Sequence, residues 1–240
     1  MRPRIAIPVP HSMDAEYAAR ALPQYERAVE QAGGEAVRIP LDRTIAEIHK
    51  LAQPCNAVLL PGSRADVDPE KYLAVRNPKT ADADLPRDTV DEFLLQDAFQ
   101  LRKPVLGICY GLQSLNVYRA GSLVQHIESA INHEAGRKVA VAHEVAVDAG
   151  SRLAEIVKQA NADPFRLPVN SSHHQSADAI GRGLRVVARC PQDGIVEALE
   201  GTEPDHFVLA VQWHPERSID DDEASRAIFR SLVEAAKKSV

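Results

Sequence analysis

Apolar positions recur along the chain at two periods. RIAIPV at 4–9, AVRIP at 36–40, NAVLLPG ending in Pro61-Gly62, and PVLGI at 104–108 are short, nearly continuous apolar runs. Such runs mark strands buried on both faces of a parallel sheet. Between them the period lengthens. Tyr25, Ala28, Val29 and Ala32 share a helical face from Pro23 to Ala32, with Pro23 suited to a first helical position and Gly33-Gly34 to a C-terminus. A weaker helix is expected over Ile45 to Leu51. Another is expected over Thr89 to Leu101, where Val90, Phe93, Leu94 and Ala98 align, and a third runs from the residue after Cys109 to about Ala120.

The second half reads differently. KVAVAHEVAVDAG (138–150) alternates like an exposed strand, and RLPVN, LRVVARC, IVEALE and HFVLAVQWH are further short β runs. A helical face returns from Glu223 to Ala236, preceded by the acidic run 220–223, which suits a solvated helix N-terminus. Alternation in the first half and clustered strands in the second predict an α/β fold over residues 1–240 as one domain. Its open sheet is mostly parallel but mixed, with helices on both faces and a small antiparallel section. The polar, proline-punctuated stretch 63–88 is too long for an ordinary connection, which points to a functional loop.

Composition narrows the partners. The 240 residues are 45% hydrophobic with a formal charge of −6 and no Lys/Arg cluster, so neither nucleic acid nor an anionic membrane surface is expected to bind. No apolar run approaches the ~20 residues of a membrane span, and the N-terminus lacks the pattern of a secretion signal. Three cysteines without CxxC spacing suggest no disulfide framework and no thiolate metal site. A cytoplasmic chain acting on a small molecule is expected, alone or as a homodimer, without metal or organic cofactor.

The chemistry centres on PVLGICYGLQ. Cys109 falls at a strand-to-helix turn with Gly107 and Gly111 two residues to either side, the context of a nucleophile elbow. A helix N-terminus favours thiolate and offers N–H groups to an oxyanion. Alone, the stretch equally suits a small apolar residue finishing a buried strand. His214 ends another apolar run, is restricted by Pro215, and has Glu216 two residues on to orient its imidazole.

GICYGLQ at 107–113 together with QWHPE at 212–216 resembles the class I glutamine amidotransferase superfamily, and Cys109, His214 and Glu216 match its Cys-His-Glu triad. LLPGS (59–63), DPEKY (68–72), DLPRD (84–88), AGSLVQHI (120–127), NSSHHQ (170–175) and LRVVARCPQDGIVEA (184–198) are similar to the gamma-glutamyl hydrolase-like peptidases, in particular the gamma-glutamyl-gamma-aminobutyrate hydrolases. The resemblance implies a freestanding hydrolase that cleaves a γ-glutamyl amide through a thioester. It implies backbone N–H groups of Gly62 and Tyr110 at the oxyanion, with Ser63 beside them. Gln113, one helical turn past the nucleophile, would face the same pocket or else the helix surface. His173 would line the acyl pocket or serve as a turn histidine, with His174 the lesser choice. Ser63 stands where the family often has a second glycine, and Tyr110 where arginine is common. The second departure sits beside the nucleophile, where it bears on substrate preference. Arg64, Tyr72 and Arg87 are the candidates for reading the amine side. Two rivals share the fold: a glutaminase subunit supplying ammonia to a synthetase, and a binding protein without chemistry, which the intact triad residues disfavour.

Overall fold

The computed structural model describes residues 2–238 apart from 159, 161, 162 and 164. Eleven strands and six α-helices follow in the order β1 (Arg4–Pro8), α1 (Ala15–Gln31), β2 (Glu35–Ile39), α2 (Ile45–Ala52), β3 (Ala57–Leu60), α3 (Leu85–Leu101), β4 (Val105–Ile108), α4 (Tyr110–Tyr118), β5 (Leu123–Val124), β6 (His143–Val147), α5 (Arg152–Val157), β7 (Arg166–Val169), β8 (Ser176–Ala177), β9 (Leu184–Arg189), β10 (Val196–Gly201), β11 (Val208–Val211) and α6 (Glu223–Lys238). Nine strands form one sheet in the order β2-β1-β3-β4-β11-β10-β9-β6-β7, and β5 pairs with β8 apart from it. The strands from β2 to β11 run parallel, and β10, β9, β6 and β7 continue antiparallel. The expected mixed α/β sheet is the one observed.

Strand alternation explains why the first-half runs are apolar throughout. Ile5, Ile7, Leu59, Leu106 and Ile108 face α1, α5 and α6 on one side. Ala6, Val58, Leu60 and Val105 face α2, α3 and α4 on the other. With both faces covered, the interior positions of β1, β3 and β4 are apolar, and their one charged residue, Arg4, stands at the partly exposed start of β1 where it pairs with Glu35.

Four elements differ from the sequence expectation. Helix α1 begins eight residues early, because Asp14 caps it by accepting from the Tyr17 N–H, and Pro23 lies inside the helix instead of opening it. Helix α3 begins at Leu85, where Asp84 accepts from the Arg87 N–H and Pro86 occupies the first turn. The alternating 138–150 run pairs only from His143 to Val147. Helix α5, capped by Ser151, is too short to show a helical period. At α6 the acidic run does cap: Asp222 accepts from the N–H groups of Ala224 and Ser225. Among the described residues, no helix is long and apolar enough to cross a membrane.

Candidate active site

Three neighbouring parallel strands, β3, β4 and β11, end at the same edge of the sheet, where open α/β folds hold their ligands. Gly62 follows β3, Cys109 follows β4 and His214 follows β11. Cys109 has φ 53° and ψ −106°, a strained conformation that costs about 1–3 kcal/mol for a residue with a side chain. Hydrogen bonds hold it there: its N–H donates to Val211 O at 2.8 Å, and its carbonyl accepts from the N–H groups of Leu112 and Gln113 at 2.9 and 3.2 Å. The flanking glycines allow the close packing of α4. A Cβ on Gly111 would stand 2.2 Å from Leu60 O, and one on Gly107 2.8 Å from the Gly111 carbonyl.

Cys109, His214 and Glu216 are all buried. A single Cβ placed on Gly62 would lie 2.9 Å from His214 Cε1 and 3.6 Å from Cys109 Cβ, so imidazole and cysteine both border this glycine. His214 Nδ1 is 2.8 Å from Glu216 Oε1. Since the carboxylate can only accept, Nδ1 carries the proton and Nε2 is left as the basic nitrogen. Burial lowers the pKa of His214 below its ordinary value, against the pull of Glu216. Burial pushes Glu216 the other way, but His214 and Arg217 hold it below the usual carboxylate range. The thiol of Cys109 is pushed up to about 12 by burial, although Arg217 and the Tyr110 N–H favour the anion. Burial at this closed position thus works against the thiolate that a helix N-terminus favours.

The structure distributes the remaining predicted residues among different roles. Ser63 and Arg64 border a cleft of about 220 Å³ that reaches His214 and Glu216, with Arg20, Arg137 and Arg217 also on its walls. The Gly62 N–H donates to the Tyr25 hydroxyl at 3.0 Å, which gives that group a protein acceptor in this state. The Tyr110 N–H faces the Cys109 sulfur, but the Tyr110 ring is buried with Ala65, Val67, Val117 and Leu123 and its hydroxyl bonds Asp88. Position 110 therefore presents backbone to the site while its side chain fills the core. Gln113 is buried, its Nε2 donating to Gln175 O at 3.2 Å and to Gln212 Oε1 at 3.4 Å, so it is not a surface helix residue. His173 is buried with Nδ1 3.0 Å from Gln175 O; it sits among His133, His143 and Glu197 and is not on the cleft wall. His174 instead pairs with Asp66. Arg87 is corrected from a substrate contact to a buried support. It pairs with Asp91 at 2.7 Å and donates to the carbonyls of Pro10 and Pro61 at 2.9 and 2.7 Å, fixing the end of β3. Tyr72 packs against the Tyr110 cluster.

Several residues of the site were not anticipated. The Asn170 side chain donates to His214 O at 2.9 Å and accepts from His214 N–H at 3.0 Å, clamping the backbone of the base. Arg217 donates to Ser172 Oγ at 2.8 Å and lies 3.5 Å from Glu216. Tyr17 and Tyr25 of α1 pack in the same buried cluster as Cys109 and line the cleft. An NSS turn and tyrosines with helical spacing are visible in the sequence, but only the sheet order brings them to this edge.

Residues 7–216 match the family model of peptidase C26. Gamma-glutamyl-gamma-aminobutyrate hydrolase PuuD of Escherichia coli (strain K12) is 31% identical over 229 residues, covering 90% of this chain and 86% of that protein. A Mycobacterium tuberculosis protein named "Putative glutamine amidotransferase Rv2859c" is 39% identical over 216 residues; the match takes in 88% of this chain and spans 66% of the relative's length. Among solved structures, a Thermoplasma acidophilum protein described as a "putative gmp synthase subunit a protein" superposes with a TM-score of 0.65 at 15% identity, over 99% of this chain and 96% of that one. That likeness is one of fold.

Proposed function

The chain belongs to the peptidase C26 family, and from that premise we propose that it hydrolyses the γ-glutamyl amide bond of a small γ-glutamyl compound, with Cys109, His214 and Glu216 as its catalytic triad. The observation that carries the reading is the His214–Glu216 contact of 2.8 Å together with a cysteine on a strained elbow that borders the same glycine as the imidazole. The walls of the cleft support it as well: Arg20, Arg64, Arg137 and Arg217 suit a substrate bearing carboxylates.

In this mechanism the Cys109 sulfur attacks the side-chain amide carbon while its proton passes to His214 Nε2. The resulting imidazolium, stabilised by Glu216, returns the proton to the leaving amine. Water deprotonated by His214 then opens the thioester and releases glutamate. A neutral thiol and imidazole are a workable starting pair, because proton transfer can accompany attack. The oxyanion is received by the Tyr110 N–H and, once the Tyr25 hydroxyl yields its bond, by the Gly62 N–H.

Glutamate release from γ-glutamyl-γ-aminobutyrate, γ-glutamyl peptides and free glutamine is the test. Release from at least one γ-glutamyl amide, abolished in a folded Cys109→Ala variant, is expected; release that survives the substitution contradicts the assignment. The relatives named as glutamine amidotransferases favour a second reading, a glutaminase subunit. Preference for free glutamine, with activity rising on addition of a copurifying synthetase, would select it.

A further inference from the structure

Behind the cleft, four buried side chains from four separate segments converge. His133 lies between β5 and β6, His143 opens β6, His173 lies between β7 and β8, and Glu197 is on β10. Their exposures are 3, 7, 4 and 0%. One ligand atom from each lies within 4.8 Å of all the others.

The hydrogen bonds around them fix what these atoms are. His133 Nε2 is 2.8 Å from Asp193 Oδ2, His143 Nδ1 is 3.2 Å from the carbonyl of Glu144, and His173 Nδ1 is 3.0 Å from the carbonyl of Gln175. Carboxylates and carbonyls only accept, so each imidazole directs one N–H outward and, when neutral, turns the other nitrogen's lone pair inward. The inward atoms are His133 Nδ1, His143 Nε2 and His173 Nε2, at 3.2, 3.4 and 3.6 Å from Glu197 Oε1. None has a hydrogen-bond partner, and neither has either oxygen of Glu197. Three lone pairs thus face an acceptor in a site closed to solvent. A proton on one imidazole would satisfy one of them and leave the other two, whereas a cation satisfies all four groups.

We propose that His133, His143, His173 and Glu197 bind one zinc ion. Three imidazole nitrogens and one carboxylate oxygen are an ordinary zinc set, and a tetrahedral ion with ligands at about 2.0–2.1 Å holds them roughly 3.3 Å apart. The outward N–H bonds to a carboxylate and two carbonyls are the arrangement that orients metal-bound histidines. Zinc with one carboxylate leaves a single positive charge, and Asp193 lies against His133 to balance it. His133 also neighbours Cys190 and Asp193, but there the sulfur and carboxylate already have Gln192, Ser129 and His133 itself as partners.

With all four positions supplied by protein, the ion is structural. It ties the loop around His133 to the loop 170–175, whose Asn170 and Ser172 hold His214 and Arg217. This departs from the expectation of a metal-free chain. That expectation rested on cysteine spacing and on triad chemistry that needs no metal, and ligands at 133, 143, 173 and 197 form no short motif. The site does not depend on the hydrolase reading.

The full chain, expressed with zinc and dialysed against metal-free buffer, is expected to carry one zinc per chain by mass spectrometry of metals. The chelator-treated chain should take up one equivalent of Zn(II) by calorimetry with a rise in melting temperature, and Co(II) in its place should give the intense visible bands of a tetrahedral site. Glu197→Gln and His143→Ala should lose stoichiometric uptake, while His49→Ala, at an exposed histidine, retains it. If either ligand variant fails to fold, uptake and the cobalt spectrum of the parent chain decide alone. Background zinc without uptake, an octahedral cobalt spectrum, or undiminished uptake in both folded ligand variants would each overturn the proposal.

Discussion

Replacing Gly62 by alanine separates catalytic geometry from folding. The new Cβ would stand 2.9 Å from His214 Cε1, 3.1 Å from the Tyr25 hydroxyl and 3.6 Å from Cys109 Cβ. Carbon atoms settle at about 3.5–4.0 Å, so the imidazole must retreat by roughly 0.5–1 Å. A misplacement of about 1 Å in a reacting group costs ~10²-fold in rate, or about 2.7 kcal/mol of barrier. The atoms met are ends of side chains, so overpacking should cost about 1–3 kcal/mol and leave a folded chain. Gly111→Ala offers the contrast: its Cβ meets backbone, 2.2 Å from Leu60 O, and the junction of β3 and α4 must part. The assay pairs kcat/KM for glutamate release with thermal melting. A loss near a hundredfold in Gly62→Ala with cooperative melting, and loss of the fold in Gly111→Ala, are expected. A Gly62→Ala enzyme within twofold of the parent would refute the argument.

Arg87→Met strands the fully buried Asp91 carboxylate, and breaking such a pair costs about 3–5 kcal/mol; an unchanged denaturation midpoint would contradict the support assigned to Arg87. Asn170→Leu removes both hydrogen bonds to the His214 backbone and should lower kcat with KM near the parental value; a change in KM alone would assign Asn170 to substrate instead. Because the His214 pKa lies below 6.5 in the folded chain, kcat/KM should rise through an acid limb with a midpoint below 6.5. The unfolded chain takes up that proton first, so the stability contributed by the neutral imidazole is present above 6.5 and lost as pH falls through the folded value. With the Cys109 thiol at about 12 against an ordinary 9.0, the unfolded chain ionises first on the alkaline side, and stability falls between those values. Alkylation of Cys109 by iodoacetamide should likewise have a midpoint above 9.0, and one near neutrality would mean a thiolate in the free protein.

The parallel half of the sheet was legible because burial on both faces forces unbroken apolar runs, as in AVLL at β3 and VLGI at β4. The elbow was legible for a local reason: the turn at Cys109 needs glycines two residues away on both sides. Helix α1 was half missed because Pro23 reads as a boundary, and only the Asp14 cap reveals the first two turns. Side-chain direction was the hardest feature to read. Tyr110 stood beside the nucleophile and Arg87 in the loop expected to read the substrate, yet the fold turns both into the core against Asp88 and Asp91. His173 illustrates the same limit, since its neighbours His133, His143 and Glu197 come together only through loop closure and strand pairing. The burial that works against a thiolate was not legible either: a helix end is a local feature, whereas desolvation depends on how completely the fold closes over Cys109.

Covalent attachment of the glutamyl group to Cys109 is tested by intact-mass spectrometry of enzyme quenched in acid during turnover of γ-glutamyl-γ-aminobutyrate. A species heavier by one glutamyl residue, mapped by proteolysis to Cys109, released by hydroxylamine and absent from Cys109→Ala, is expected. Glutamate release under the same conditions with no adduct in the parent chain, or with an adduct mapped to Cys55 or Cys190, would contradict it.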